Sequence, residues 1–281
     1  MASIQSANNA VKRAATSPAL EILERLGYAV RGALYAVMGL LALKVVLSVA
    51  GGQTTDLTGS LVALVSNPFG KLTLIVAAIG LGAYSLWGFV RAIYDPLHRG
   101  SDASGYMARL GFLTSALSYA AIVIFALQLL AGSGASAGDG TQKTIASVLT
   151  HPAGGPVTIL IGLVAIGVGL GQFLESYRAT FAKDLKGAEM SETTRTSAIR
   201  LGRFGMFARG VIFLVIGWFV VQAGVHHDPA QAQGFGGAFT FLLAQPFGRV
   251  LLGVVALGFV ALGLHSFACA RWTRLMGSHS A

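Results

Sequence analysis

Three segments of this chain carry the same residues at the same internal spacing. Arg25, Arg109 and Arg203 each begin an R-x-G triplet, and a proline follows 43 residues after each arginine. Arg109 lies 84 residues after Arg25, and Arg203 lies 94 residues after Arg109. A fixed period of this length indicates one structural unit that is built several times. The sequence therefore predicts three copies of one unit, with a longer connection before the third copy.

Composition places these copies in a lipid bilayer. Hydrophobic residues make up 54% of the chain and charged residues only 11%, whereas about a quarter of the residues of a soluble protein are charged. A helix of about 20 apolar residues crosses the hydrocarbon core of a membrane. Each copy contains two such segments, so it is predicted to form a helical hairpin. The six helices are predicted at 28–49, 69–93, 109–131, 156–179, 205–225 and 247–271.

The hairpins also predict how the copies are related. Because a hairpin returns the chain to its starting side, successive copies have the same orientation, and such copies are related by an axis along the membrane normal. The predicted fold is all-α and integral to the membrane, with six transmembrane helices as three tandem helical hairpins with pseudo-threefold symmetry about the membrane normal. The predicted regions are a polar cytoplasmic N-terminal tail (1–23), repeat 1 (24–97), repeat 2 (108–182), a basic cytoplasmic linker (183–202), repeat 3 (203–274) and a C-terminal tail (275–281).

The distribution of lysine and arginine predicts the orientation of the helices. Sixteen of the 20 basic residues lie at the termini or in the two connections between copies, whereas Lys71, Lys143 and Arg249 lie on the other side. Because basic residues are retained on the cytoplasmic side, both termini are predicted to be cytoplasmic, in a multi-pass protein of the bacterial cytoplasmic (plasma) membrane. Anionic lipid headgroups on that side explain the net charge of +9, so no nucleic-acid partner is expected. A membrane-protein partner or a homo-oligomer remains open.

A proline triplet lies in the middle of each copy. Each triplet follows a short apolar pattern that is typical of a half-buried helix at the outer membrane interface, such as Leu57, Leu61 and Leu64 in the first copy. Proline is favoured in the first turn of a helix, where its missing N–H costs nothing. The triplets are therefore predicted to start the second helix of each copy. The residues of this helix-start motif are Pro68, Phe69, Gly70, Pro152, Gly154, Pro246, Phe247 and Gly248.

These motifs resemble a known family. The R-x-G triplets, the Y-x3-G pattern from Tyr35 and the P-F-G-R-x-L-L pattern from Pro246 are similar to the bacterial membrane family catalogued as domain of unknown function 1206. The resemblance covers about residues 24–274 and implies three tandem two-helix units in a membrane. It implies no activity, because none is established for the family. The middle copy departs from the pattern, with Ser115 where the other copies have arginine.

One repeat position near the outer ends of the helices carries a long polar side chain in every copy, namely Lys44, Gln128 and Gln222. Polar groups at such depth face protein or a water-filled cavity. In one interpretation they form a polar ring around the pseudo-axis that binds an anion or a polar solute. In the other, which the sequence favours, Lys44 extends to the outer headgroups and the glutamines join helices by hydrogen bonds.

Other charged residues lie near the predicted cytoplasmic ends of the helices. Arg91 and Glu175 occupy matching positions in the first two copies, so they either form an ion pair or are solvated separately. Arginine at the inner boundary of a membrane is typical of a contact with lipid phosphate. The predicted topology and lipid-phosphate anchors are Arg25, Arg31, Arg109, Arg203 and Arg209.

The sequence predicts neither a metal nor a cofactor. Its single cysteine, Cys269, leaves no multi-cysteine metal or redox motif. His265 is alone inside the last helix, where a histidine is typically hydrogen-bonded in the core. The adjacent His226 and His227 provide too few ligands for the usual four-coordinate site.

Motifs for catalysis are also missing from the sequence. It contains no nucleophile elbow, nucleotide-binding loop or H-E-x-x-H motif, so no enzymatic activity is expected. The predicted function is noncatalytic, as a membrane protein with a structural or regulatory role. The alternative is a transporter, channel or small polar solute- or anion-binding protein with a pseudo-axial polar site. An intramembrane lipid-modifying enzyme is the third hypothesis, for which the sequence offers no reactive cluster.

Overall fold

The fold is built from helices of two lengths. The computed structural model describes residues 18–48, 54–65, 69–94, 103–132 and 140–273. Within these residues, each short helix lies between the two long helices of one repeat. The helices are α1 (Pro18–Val46), α2 (Leu57–Val65), α3 (Gly70–Tyr94), α4 (Ala103–Leu130), α5 (Gly140–Leu149), α6 (Gly154–Arg178), α7 (Glu192–His226), α8 (Phe235–Ala244) and α9 (Gly248–Trp272).

The six long helices are long and apolar enough to cross a membrane. Their spanning segments are Arg25–Val46, Gly70–Ile93, Arg109–Leu130, Gly154–Arg178, Glu192–His226 and Gly248–Trp272. A segment of 22 residues, the shortest of these, is about 33 Å long as an α-helix, and the hydrocarbon core is about 30 Å thick. The chain is therefore a multi-pass membrane protein, and the prediction of two long helices in each repeat is confirmed.

The short helices α2, α5 and α8 confirm the predicted helix before each proline triplet. Each buries part of one face against the long helices. Leu61 of α2, Ile145 of α5 and Phe239 of α8 are all buried. The start of α2 is capped by Asp56, because its Oδ1 accepts a hydrogen bond from the backbone N–H of Gly59 at 2.8 Å.

The predicted place of proline in the first helical turn is wrong for two of the three triplets. Helix α6 begins at Gly154 and α9 begins at Gly248, so Pro152 and Pro246 lie two residues before them. Pro68 lies outside the described residues. Each of these two helices begins at the glycine of its triplet, where a side chain has no room. A Cβ at Gly154 would collide with the carbonyl oxygen of Val148 at the end of α5. A Cβ at Gly248 would collide in the same way with the end of α8.

Helices α1 and α7 extend into the regions predicted as the N-terminal tail and the linker. Helix α1 begins at Pro18 and continues without a break to Val46, so the predicted tail at 1–23 ends earlier than expected. Proline suits this position because the first residue of a helix has no intrahelical N–H bond to lose. The predicted linker at 183–202 is helical from Glu192 onwards. Ser191 caps α7, since its hydroxyl oxygen accepts a hydrogen bond from the N–H of Thr194 at 3.2 Å.

Glycine holds α6 close to the second half of α7. A Cβ added at Gly162 would lie 2.8 Å from the carbonyl oxygen of Gly217, and a Cβ at Gly217 would lie 2.8 Å from the carbonyl oxygen of Gly162. Small residues let membrane helices approach closely, so that dispersion contacts and backbone groups hold them together. This surface is called the glycine seam. Its facing pairs are Gly155 with Gly224, Gly162 with Gly217, and Gly169 with Gly210.

The lateral order of the helices follows the repeats. The second long helix of one repeat packs against the first long helix of the next, as in α3 with α4, α6 with α7 and α9 with α1. Contacts also recur at equivalent repeat positions in these three interfaces. The contacting pairs are Ser85 with Ala116, Gly169 with Gly210, and Gly263 with Gly32. Within the described residues, α4 and α6 of the middle repeat do not pack extensively on each other. The pseudo-threefold symmetry stays a prediction.

Candidate anion-binding site

The arginine of each R-x-G triplet binds the end of a neighbouring helix. Its guanidinium donates hydrogen bonds to carbonyl oxygens in the last turn of the second long helix of the preceding repeat, where a positive charge also complements the helix dipole. The acceptors are Ala270 and Arg271 for Arg25 (2.7 and 2.6 Å), Ala92 and Ile93 for Arg109 (2.8 and 2.9 Å), and Tyr177 for Arg203 (3.1 Å). These three arginines therefore join successive repeats, and their predicted contact with lipid phosphate stays a prediction.

These contacts also define one end of the bundle. Here α1 begins and α9 ends, because Arg25 in α1 bonds to the last turn of α9. This end is called the terminal end, and the end that carries α2, α5 and α8 is called the short-helix end.

The structure does not bring Lys44, Gln128 and Gln222 together. Lys44 and Gln128 are exposed and Gln222 is half-buried. Within the described part of the chain, no hydrogen bond joins two of the three. Each lies on the outward face of its helix, as the exposed apolar neighbours at helical spacing demonstrate. These neighbours are Leu40 and Leu47 beside Lys44, Ile124 beside Gln128, and Trp218 and Val225 beside Gln222.

The ion pair between Arg91 and Glu175 is not formed. The Oε1 atom of Glu175 accepts hydrogen bonds from the Thr180 hydroxyl at 2.6 Å and from the backbone N–H of Phe181 at 2.8 Å. The guanidinium carbon of Arg91 lies 5.2 Å from the ring centroid of Trp87, on the surface between α3 and α4. The Glu175 carboxylate instead accepts hydrogen bonds from the segment that follows α6. It does not contact Arg91, although the two residues occupy matching repeat positions.

Arg31 of α1 points into the bundle. Its Nη1 donates a hydrogen bond to the hydroxyl of Tyr84 at 2.6 Å, and its Nη2 donates a longer one to the hydroxyl of Ser266 at 3.4 Å. The guanidinium carbon also lies 5.0 and 5.1 Å from the ring centroids of Tyr28 and Tyr84, within the range of cation–π attraction. Arg31 is therefore held by side chains of α1, α3 and α9.

Two tyrosines at equivalent repeat positions meet beside Arg31. The hydroxyls of Tyr35 in α1 and Tyr119 in α4 are 3.2 Å apart, and both residues are buried. The ring of Tyr119 also packs edge-on against that of Tyr84, with 5.0 Å between centroids. Side chains from the first two repeats thus form one continuous group of hydroxyls around Arg31.

Arg209 of α7 reaches the same group from the third repeat. Its guanidinium carbon lies 5.9 Å from the ring centroid of Tyr35 and 5.3 Å from that of Phe213. The Nε atoms of Arg31 and Arg209 are both buried and have no hydrogen-bond partner among the described residues. Arg31, Tyr35, Tyr84, Tyr119 and Arg209 are together called the arginine–tyrosine cluster.

The cluster combines positive charge with unused hydrogen-bond donors. Among the described residues, no carboxylate forms an ion pair with Arg31 or Arg209. Removing a charge from water costs several kcal/mol unless a partner compensates it. In a hydroxyl pair such as Tyr35 and Tyr119, only one O–H is used, and the O–H of Tyr84 remains available because its oxygen accepts from Arg31. All of these groups favour an anion.

Comparison with known proteins identifies the repeats. The family described as Domain of Unknown Function (DUF1206) matches three segments of the chain, at residues 26–95, 110–179 and 204–273. The chain belongs to this family. The three segments begin 84 and 94 residues apart, the period that the R-x-G arginines define, so the resemblance inferred from the motifs is confirmed.

A relative of the whole DUF1206 chain is found in Bacillus subtilis (strain 168). It is the uncharacterized protein YxxB, which is 33% identical over 252 residues and matches 89% of this chain and 90% of its own length. No solved structure matches the chain. The alignment therefore covers nearly the whole of both proteins.

Two residues that bind Arg31 have no signal in the repeat pattern of DUF1206. The residues equivalent to Tyr84 are Val168 and Leu262, so periodicity does not distinguish Tyr84 from an ordinary apolar position. Ser266, which binds Arg31, is likewise replaced in the other repeats by Gly88 and Gln172. The common registers of Tyr35 with Tyr119 and of Arg31 with Arg209 were visible in the sequence.

The buried histidine of the last helix has a structural role in the DUF1206 fold. The Nδ1 atom of His265 lies 2.9 Å from the carbonyl oxygen of Ala198, and Nε2 lies 3.4 Å from Sγ of Cys269. Both ring nitrogens thus have neighbours within the protein. Among the described residues, no group of three histidine, cysteine or acidic side chains is arranged to hold a metal.

Proposed function

We propose that this DUF1206 protein is a noncatalytic membrane protein that binds a small anion at the arginine–tyrosine cluster. The observation that carries the proposal is Arg209, whose guanidinium faces the rings of Tyr35 and Phe213 without a carboxylate partner among the described residues. A bound anion would supply Arg209 with a hydrogen-bond acceptor and a charge partner. Charge-assisted hydrogen bonds of this kind are about twice as strong as neutral ones.

The depth of the cluster fits an anion that enters from the terminal end. Arg31 and Arg209 each lie six residues after the arginine that begins their repeat, which is about 9 Å along the helix axis. The excess of lysine and arginine supports a cytoplasmic location for this end, in the plasma membrane. The ligand is therefore a cytoplasmic oxyanion such as a carboxylate or a phosphate, and neither a cofactor nor a nucleic acid is involved.

A structural or regulatory role is the second candidate. It is favoured by the glycine seam and by the tyrosine pair, since Tyr35 and Tyr119 are only 2% and 3% exposed and fill the space between three repeats. In this role the middle repeat would contact another membrane protein or a second copy of the chain. In the spanning segment of α6, 17% of the residues are buried, the lowest share among the six segments. This helix therefore offers the largest uncovered surface.

Thermal unfolding of the purified protein in detergent tests the two candidates against each other. Phosphate, sulfate, acetate and chloride are titrated at constant ionic strength, because a ligand that binds only the folded state raises the unfolding temperature in a saturable way. Anion binding predicts saturable stabilisation by an oxyanion, which Arg209→Gln removes and the exposed-residue control Lys44→Gln retains. Equal, non-saturable responses to all salts would contradict anion binding and would leave the structural role as the better account.

A further inference from the structure

A groove opens on the surface between α6 and α7 at the terminal end. Its volume is about 920 Å³, and one side of it is strongly aromatic. The rings of Phe173 and Phe207 are 5.1 Å apart between centroids. The side chains that matter for its chemistry are Phe173, Tyr177, Arg200, Arg203, Phe204 and Phe207. None of the residues that line it is acidic.

The groove crosses the boundary between headgroups and hydrocarbon. Arg203 is equivalent to Arg25 and Arg109, which are the first residues of their spanning segments. Arg200 therefore lies at headgroup level, about 5 Å above Arg203 along the helix axis. Phe207 lies one turn deeper than Arg203, where acyl chains begin. The groove is thus cationic at its outer end and aromatic at its inner end.

The cationic end has N–H donors that make no hydrogen bond to a described residue. Arg200 is exposed and makes no hydrogen bond or ion pair with a described residue. Arg203 uses its Nη2 on the carbonyl oxygen of Tyr177, which fixes the guanidinium at the groove and leaves other N–H groups available. Tyr177 is 82% exposed beside them, as expected of an aromatic residue at a membrane interface. Two adjacent guanidinium groups in this setting match a phosphodiester.

We infer that this groove binds one anionic glycerophospholipid, with its phosphate between Arg200 and Arg203 and one acyl chain along Phe173 and Phe207. The position of Arg200 is taken by Ile22 and Tyr106 in the other two repeats, so the pair of arginines three residues apart at the start of the repeat occurs in the third repeat. The groove is separate from the arginine–tyrosine cluster.

Native mass spectrometry of the delipidated full-length protein in detergent tests this inference, with phosphatidylglycerol and phosphatidylcholine titrated in parallel. We expect one phosphatidylglycerol to bind more tightly than phosphatidylcholine. Arg200→Gln weakens phosphatidylglycerol binding about fivefold, the contribution of one basic residue near an anionic surface. Arg271→Gln, an exposed arginine at the same end, leaves it unchanged, and so does Arg209→Gln in the cluster.

A second variant tests the acyl-chain contact. Phe207→Ala keeps both arginines and is expected to weaken phosphatidylglycerol binding while the protein remains folded, as judged by an unchanged unfolding temperature in detergent alone. Equal binding of phosphatidylcholine, or equal losses in the Arg200 and Arg271 variants, would overturn the inference. Full displacement of phosphatidylglycerol by inorganic phosphate would also overturn it, because the site would then hold a soluble anion.

Discussion

Arg31 and Arg209 occupy the same position in the first and third repeats, but their surroundings differ. Arg31 donates hydrogen bonds to the hydroxyls of Tyr84 and Ser266. Arg209 contacts the ring faces of Tyr35 and Phe213. The buried Nε of both arginines has no acceptor among the described residues. The Nη groups of Arg31 thus have hydrogen-bond acceptors within the described part of the bundle, whereas those of Arg209 have none there.

The difference has its origin in two equivalent positions. Tyr84, which accepts from Arg31, corresponds to Leu262 in the third repeat, and leucine has no acceptor for Arg209. Ser266 corresponds to Gln172, which forms no hydrogen bond with Arg209 among the described residues. Repetition therefore placed an arginine at the same position in both repeats, and divergence of the neighbouring residues gave Arg31 two hydroxyl acceptors that Arg209 lacks.

The largest expected effect is on stability, when each arginine is replaced in turn. Arg31→Met loses two hydrogen bonds from a charged group and leaves Tyr84 without its partner, which is expected to destabilise the protein by about 2–3 kcal/mol. Arg209→Met removes a half-buried charge that makes no hydrogen bond or ion pair with a described residue, so stability in anion-free buffer is expected to change little or to rise. Thermal unfolding in one detergent measures both, with the exposed Arg271→Met as control. Equal losses in the two variants would contradict the contrast between the arginines.

The second effect is on anion affinity. Arg209→Gln removes a charged donor and is expected to weaken oxyanion binding at least about tenfold, since a hydrogen bond to a charged group contributes about 1.5–3 kcal/mol. Arg249→Gln, an exposed arginine near the short-helix end, serves as a matched charge control and keeps the wild-type affinity. Isothermal titration calorimetry with the anion that stabilises best measures both variants. A similar loss in the two would indicate a nonspecific effect of charge.

The third prediction makes Arg31 resemble Arg209. Tyr84→Phe removes the hydroxyl that accepts from Arg31 at 2.6 Å while it keeps the ring, so we expect a loss of about 1–2 kcal/mol in unfolding free energy. Tyr106→Phe removes the hydroxyl of an exposed tyrosine and should have no effect on thermal unfolding. If Tyr84→Phe also had none, the hydroxyl would not be what holds Arg31.

The smallest effect on stability and anion affinity is expected when one tyrosine of the Tyr35–Tyr119 pair is replaced. Tyr35→Phe breaks the hydrogen bond to Tyr119, which costs about 0.5–1.5 kcal/mol for a neutral pair. It also removes one of the donors available to an anion, so affinity falls less than in Arg209→Gln. Calorimetry of Tyr35→Phe and of the exposed control Tyr177→Phe checks this order. A larger loss in Tyr35→Phe than in Arg209→Gln would reverse the assigned roles.

The sequence predicted the repeats and the helices well because both depend on linear spacing. The six long helices, the three short ones and the period from Arg25 to Arg109 all follow from apolar periodicity and from residues that recur at fixed distances. The start of α6 was misplaced because steric contact, and not the backbone preference of Pro152, decides where the helix begins. At Gly154 the end of α5 leaves no room for a side chain.

The site was harder to predict because depth along a helix does not give direction around it. Lys44 has the depth of a candidate ligand, but it lies on the same face as the exposed Leu40 and Leu47. Arg31 lies at a boundary depth that is typical of a lipid anchor, yet it points towards Tyr84. The partners of an arginine depend on which helices lie next to its own helix. Side-chain packing sets that lateral order, and residue spacing in one sequence does not reveal it.

An experimental structure in lipid nanodiscs, with the best-stabilising oxyanion present, tests the central claim most directly. The expected result is density that the protein does not account for, within about 3 Å of the Arg209 guanidinium and close to the hydroxyl of Tyr35 or Tyr119. A protein side chain that pairs with Arg209, or a dry apolar contact around it, would contradict the claim, because the arginine would then need no ligand.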